Sequence, residues 1–434
     1  MLRAFRSRNY RLYFFGQSVS LMGSWMTRLA TSWLVYRLTE NAFLLGVVGF
    51  AGQIPAFVLS PFAGVFLDRW NKHRLLVFTQ ALAMLQSFAM AWLALNHKPG
   101  SDIIPFIIAL SIFQGLINSF DMPARQSFVV QMVDKREDLS NAIALNSSMV
   151  NLARLIGPTI GGFIIAFSGQ EGWCFLIDGV SYLAVIGSLY LMRVPMQPAR
   201  EGKKTSNLAQ LREGWAYVSG FAPIRKILLL LSLTSLVGVP YTVFMPIFAK
   251  EILHGGPAAQ GWLMGASGAG ALTGAIFLAS RRTVLGLSKL IPFMAALFGV
   301  GLIAFSRSTN LWLSLLLLPF IGFGFMVQMA SSNTLVQTIV DDDKRGRVMS
   351  FYMMSFVGTV PFGSLLGGVL AKYIGAPNTV LLGGIGCIAG AMWFGRSLPE
   401  WHEAVRPIYE RMGILPEVAA GMQSAAELTR PPED

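Results

Sequence analysis

Charge is scarce in this sequence: charged residues make up 13% of its 434 positions, against roughly 25% in an average soluble domain. A water-soluble chain of this length could not cover its surface with so few. Cysteine is scarcer still, with only Cys174 and Cys387, both inside apolar runs and in opposite halves of the chain. That spacing excludes a disulfide framework and a cysteine metal site. The four histidines, His73, His97, His254 and His402, fall in or near loops without ligand spacing, so no metal site is expected. No G-x-x-x-x-G-K-[S/T] segment occurs, which removes a P-loop ATPase from this chain. Nor is there an acid–base dyad, or a nucleophile beside a base, so neither an enzyme nor a cofactor is expected. Energy for any active process would come from a gradient.

Apolar length is abundant. Hydrophobic residues make up 54% of the chain, and one helix crossing a bilayer needs roughly 20 of them in succession. The apolar runs predict an all-α integral membrane protein with twelve spans, at about 12–36, 44–67, 75–96, 103–121, 142–167, 173–193, 224–249, 258–280, 287–306, 310–332, 348–371 and 377–395. Arg3, Arg6, Arg8 and Arg11 precede the first run as they would in a secretory signal. That run continues past Trp33 without an A-x-A-like cleavage site, so a retained span is expected.

Loop charge gives an orientation. The N-terminus, the connections after even-numbered spans and the tail carry 27 Lys and Arg residues, whereas the opposite connections carry five: Arg37, Lys98, Lys250, Arg307 and Lys372. The positive-inside rule then places both termini of the multi-pass chain in the cytoplasm. The formal charge of +12 is thereby a topology signal rather than a nucleic-acid footprint. The expected organisation is an N-terminal six-helix half over 1–193, a cytoplasmic central loop over 194–223, a C-terminal six-helix half over 224–396 and a cytoplasmic tail over 397–434. Within the central loop, Leu208, Leu211, Trp215 and Val218 could form the apolar face of a surface helix over 208–221, or the segment could be a plain linker. The tail is expected to hold a short helix over about 400–412.

The halves echo one another. Gly157-Pro158-Thr159-Ile160-Gly161-Gly162 in span five parallels Gly363-Ser364-Leu365-Leu366-Gly367-Gly368 in span eleven, and each follows a similar Val-Gln segment, at 130–131 and 336–337. Related six-helix halves are the pattern of a transporter whose site lies at the midplane between them.

Polar groups inside a span are costly, which makes their positions informative. Gln17, Ser20, Ser24, Arg28 and Thr31 share one face of span one, and Ser111, Gln114, Asn118 and Asp121 share one face of span four. Weaker stripes run through Ser232, Ser235 and Thr242 in span seven and Gln328, Ser331 and Ser332 in span ten. These stripes either line a shared aqueous cavity or join helices by hydrogen bonds. Cavity and substrate candidates are Gln17, Ser20, Ser24, Arg28, Thr31, Gln114, Asn118, Asn151, Ser235 and Gln328. Arg28 and Arg154 sit deep, at roughly +2.5 to +3.5 kcal/mol each on insertion scales, and need a carboxylate, carbonyl or water partner. Asp178 could partner either arginine, act as a protonatable coupling site, or belong to a purely structural pair. Arg28, Arg154, Asp178 and Asp121 are the coupling candidates.

After span two the sequence reads Gly64-Val65-Phe66-Leu67-Asp68-Arg69-Trp70-Asn71-Lys72-His73-Arg74. This resembles the G-x-x-x-D-R-x-x-R-R signature of the major facilitator superfamily, with Lys72 and His73 where the middle basic residues stand. Ala144, Ala153, Gly157, Pro158, Gly161 and Gly162 resemble that superfamily's span-five antiporter signature, with alanine at two glycine positions. Four further segments, starting at Arg8, Asp121, Asn141 and Arg345, resemble the branch of enterobactin exporters and macrolide efflux pumps. The resemblance implies the major facilitator fold, two related six-helix bundles around a central cavity. It also implies a proton-driven exporter in the inner (plasma) membrane, with a gate formed by Gly64, Asp68, Arg69, Arg74, Arg345 and Arg347. Ser111 stands where the superfamily's span-four R-x-x-Q-G motif has its arginine, so coupling would have to use another charge. The leading expectation is a proton-coupled secondary transporter that exports amphipathic small molecules (a drug, siderophore or metabolite) by alternating access. The alternatives are an importer or facilitator, or a non-transporting receptor or lipid-handling protein. Expected partners are the small-molecule substrate and the lipid bilayer, with no nucleic acid and no ATPase subunit, the protein itself being a monomer.

Overall fold

The computed structural model describes residues 3–97, 102–193, 207–281 and 283–414, with the side chains of 60–69, 136 and 207–211 outside the description. Among the described residues, all regular structure is helical. Helices α1 (Arg8–Thr39), α2 (Ala42–Arg69), α3 (Lys72–Asn96), α4 (Ile104–Met132), α5 (Leu139–Ser168) and α6 (Gly172–Leu191) form the first half. A short surface helix, α7 (Asn207–Gly220), leads into α8 (Ala222–Val237). The second half continues through α9 (Met245–Ile247), α10 (Gly256–Ala279), α11 (Leu287–Arg307), α12 (Leu311–Ile339), α13 (Arg345–Phe356), α14 (Thr359–Ile374) and α15 (Ala376–Arg396), and α16 (Leu398–Arg411) closes the described chain.

Eleven of the helical segments are long and apolar enough to cross a membrane. The 32-residue α1 is the twelfth long helix; Gln17, Ser20, Ser24, Thr27, Arg28 and Thr31 lower its hydropathy below the others. Large apolar side chains remain on the outside of the bundle, Trp92 being 69% and Trp312 74% exposed, as lipid-facing surface requires. The protein is a multi-pass membrane protein.

Two expected spans are not continuous helices. The seventh stops at Val237, continues as a 3-10 turn over Val239–Phe244, and ends in a π turn over Phe248–Ile252. Pro240 has no N–H to give to the helix ladder, and a side chain at Gly238 would run into Phe298 and the Thr234 carbonyl. The eleventh span divides into α13 and α14 around Val357–Gly358. The fourth helix is longer than expected, reaching Met132, which moves Arg125 from a loop into α4. The central segment contains a helix, α7, rather than a plain linker; of its expected apolar face, Val218 is buried and Trp215 exposed. Its Gly214 packs against Phe351 of α13, while Leu208 and Leu211 lie outside the described side chains. In the tail, α16 buries Trp401, Val405 and Tyr409; the Trp401 indole donates to the Pro223 carbonyl at 3.3 Å.

The halves meet along α5 with α10 and α2 with α14. Both contacts depend on residues without side chains. A Cβ on Gly162 would lie 2.6 Å from the Pro257 carbonyl and 3.0 Å from Gly261 Cα, and one on Gly46 would lie 2.5 Å from the Ser364 carbonyl. Gly157 and Gly161 instead face Met22, Trp25 and Met26 of α1. Small residues here let helix backbones approach closely.

Candidate functional site

Among the described residues, the side-chain bonds that join the halves gather towards one end. On the side remote from the chain termini, Tyr36 donates to Glu251 and Lys250 pairs with Glu40 at 2.5 Å. The same region has the Gln260 amide donating to Ser32 at 2.9 Å and Phe163 packed edge-on against Trp262. Hydrogen bonding and the charge of Lys250 hold the Glu40 carboxyl below its usual range. The Phe50–Phe362 and Phe57–Phe362 ring contacts carry the seal towards the middle. On the terminal side, the bonds among described residues stay within one half. Ser7 accepts from the Asp134 amide, and Arg8 donates to the Leu191 carbonyl. Lys226 pairs with Glu400 at 2.7 Å, and Arg347 pairs with Glu213. Among the described residues, the halves thus frame a cleft that is joined on the far side.

At mid-depth, Trp25 of α1 lies within reach of two cations. The Arg28 guanidinium lies 4.7 Å from its ring centre and that of Arg154, from α5, lies 5.7 Å away. Arg28 is exposed and Arg154 half-buried, and Arg154 lies beside the Tyr241 hydroxyl of the opposite half. Tyr241 in turn shares a 2.7 Å hydrogen bond with Ser267. Among the described residues, no carboxylate forms an ion pair with either arginine.

Asp178 takes neither arginine as its partner. It is 1% exposed, and its Oδ2 accepts from Thr27 at 2.9 Å and Ser87 at 2.7 Å, while Oδ1 has no hydrogen-bond donor. Gly23 gives it room, since a Cβ there would lie 2.5 Å from Oδ1. The carboxyl thus joins α1, α3 and α6 through hydroxyls alone. Asp121 is different. It pairs with Arg125 one turn along α4 and accepts from Thr79 at 2.8 Å and Gln80 at 2.7 Å. Ser111, at the position of the signature arginine, donates only to its own helix, at the Ile107 carbonyl.

The remaining candidates distribute between the two expected environments. Gln17 and Ser20 are buried in the first half, Ser24 lies 3.3 Å from the Tyr182 hydroxyl, and Thr31 bonds back to the Thr27 carbonyl. Gln114 donates to Asn118 at 3.3 Å, and Asn151 donates to the Ser147 carbonyl one turn from Arg154. In the second half Gln328 donates to Thr234 at 3.0 Å. The Ser235 and Ser331 hydroxyls nearby are buried without a partner. Of the gate candidates, Arg74 is exposed, Arg345 pairs with Asp342, and the side chains of Gly64, Asp68 and Arg69 lie outside the described residues.

Sequence reading missed Arg125, Trp25, Tyr241 and the Tyr36–Glu251 contact. The four-residue spacing of Asp121 and Arg125 was an available signal, as was the three-residue spacing of Trp25 and Arg28. Tyr241 and Glu251 are brought to the interface only by tertiary packing.

Comparison with known proteins points one way. The sequence profile of the family described as transmembrane secretion effector matches residues 1–422. The chain is 26% identical to the staphyloferrin A transporter of Staphylococcus aureus, covering 88% of this chain and 94% of that protein. It is 25% identical to the multidrug efflux pump Tap of Mycolicibacterium fortuitum (83% and 88% covered) and 20% identical to macrolide efflux protein A of Streptococcus pyogenes (88% and 95%). Among solved structures, it is similar in fold to a POT family transporter in complex with 5-aminolevulinic acid, with a TM-score of 0.72 at 13% identity over 91% and 97% of the two chains. A D-xylose–proton symporter superposes with a TM-score of 0.68 at 14% identity over 88% and 97%.

Proposed function

Because the chain belongs to the transmembrane secretion effector family of major facilitator transporters, we propose that it is a proton-coupled exporter of amphipathic small molecules. Its class, a secondary transporter and not an enzyme, follows from the family. The observation that carries the finer reading is the one-ended interface, joined at the far side and, among the described residues, without a side-chain bond between the halves on the terminal side, with charged and aromatic groups at mid-depth. Loop charge supports cytoplasmic termini in the inner membrane. With that orientation, the structure is the inward-facing member of an alternating-access pair, and the Tyr36–Glu251 and Lys250–Glu40 contacts are those that must part for release outside.

Efflux-pump relatives support the outward direction. Asp178 is our choice for proton coupling. It bridges three helices through neutral hydroxyls, so gain or loss of a proton alters how α1, α3 and α6 are tied together. Arg74, Arg345, Arg347 and the Asp68–Arg69 pair are assigned to the cytoplasmic gate of the opposite, outward-facing state.

The test is dye retention in energised bacteria with and without the protein, loaded with rhodamine 6G and, separately, fluorescein. Expressing cells should retain severalfold less of at least one dye, with the difference abolished by a protonophore. Greater retention in expressing cells would identify an importer, and equal retention of both dyes would remove the export reading.

A further inference from the structure

Among the described residues, the first half contains two deep cations with no acid paired to them and two deep acids already supplied with donors. Asp121 is held by Arg125, Thr79 and Gln80, and Asp178 by Thr27 and Ser87. Arg28 and Arg154 are left facing one indole ring from two different helices. A cation–π contact offsets part of a guanidinium's lost hydration, but two like charges sharing one ring repel each other. Such a pair, placed in the cleft and exposed at Arg28, is most stable with negative charge between or beside the two groups.

We infer that Arg28 and Arg154 are the recognition pole of the central site, and that the molecule bound there is an organic anion with a flat apolar body. Guanidinium groups bind carboxylate, sulfonate or phosphate through paired N–H donors. Trp25 supplies a ring against which an apolar or aromatic portion can lie. Tyr241 places a hydroxyl from the second half beside Arg154, so an anion bound there touches both halves. That contact links occupancy to the relative position of the halves. The second half brings no charge of its own to this depth: within α8, Arg225 and Lys226 lie in the first two turns, and α10 and α12 contain no charged residue. The inference deepens the transport reading by naming its substrate class, and its test measures binding without flux, so the two can fail separately.

Fluorescein and rhodamine 6G share a xanthene ring system but carry opposite charge at neutral pH. Fluorescence anisotropy of each is measured against purified full-length protein, native and with Arg28→Gln or Arg154→Gln. Native protein should bind fluorescein in preference to rhodamine 6G. Each variant should lose at least about tenfold in fluorescein affinity, the order expected for one charge-assisted hydrogen-bonded pair, without losing rhodamine 6G binding. A preference for rhodamine 6G, no fluorescein binding at millimolar concentration, or unchanged fluorescein affinity in both variants would overturn the proposal. Should a glutamine variant fail to fold, the comparison of the two dyes on native protein decides alone. Anion binding without any transport would sink the exporter and leave the site.

Discussion

The two halves have related sequences and the same helix packing, yet they hold their polar interiors differently. The first half contains Arg28, Asp121, Arg125, Arg154 and Asp178 within its helices. At corresponding depth the second half offers Gln260, Gln328, Ser235 and Ser331, all neutral and buried. A neutral amide can be left incompletely bonded at modest cost, whereas a buried charge must be paired, solvated or neutralised. Charge handling is thus concentrated in one bundle. The other bundle supplies the partly unwound seventh span, the divided eleventh span and the far-side contacts Lys250 and Glu251. One half carries the charge and its partner carries the irregular backbone where the two meet.

The sharpest way to break this comparison is to remove a charged partner. Arg125→Ala leaves Asp121 buried beside Thr79 and Gln80 without its cation. Losing one member of a buried pair costs about 3 kcal/mol, so the purified protein should show a thermal midpoint several degrees lower. The double variant Asp121→Asn/Arg125→Gln, which removes both charges, should recover part of that loss. A single variant as stable as native would show that the pair is not structural. In the second half, the matching change is Gln328→Leu, which removes one neutral hydrogen bond to Thr234. About 1 kcal/mol is at stake, and the dye-retention difference should stay within a few-fold of native. Loss of efflux as deep as that of an Asp178 variant would abolish the distinction between the halves.

The sequence made the architecture legible because lipid imposes it: apolar length set the spans, loop charge suggested their orientation, and repeated glycines pointed to related halves. The stripe on α1 was visible for the same reason, since Gln17, Ser20, Ser24 and Arg28 recur at helical spacing. Pairing was not legible. Asp178 stood as a possible partner for either arginine, but one-dimensional spacing cannot say that Ser87 from α3 and Thr27 from α1 reach it first. The helix breaks at Gly238–Pro240 and Gly358 were missed because an apolar run continues through both. Which end of the cleft is closed depends on residues such as Tyr36 and Glu251, 215 positions apart, and no local pattern records that contact.

The central claim is that gradient coupling resides in the charged half, at Asp178. The direct measurement is dye flux in proteoliposomes under an imposed proton gradient, comparing native protein with Asp178→Asn at equal reconstitution. Native flux should rise at least about tenfold with a gradient of two pH units, within the roughly 2.7 kcal/mol that such a gradient supplies per proton. Asp178→Asn should bind the dye and exchange it down its own concentration gradient, without responding to the proton gradient. Equal acceleration of both proteins by the gradient would contradict the assignment, and native flux indifferent to the gradient would contradict proton coupling itself.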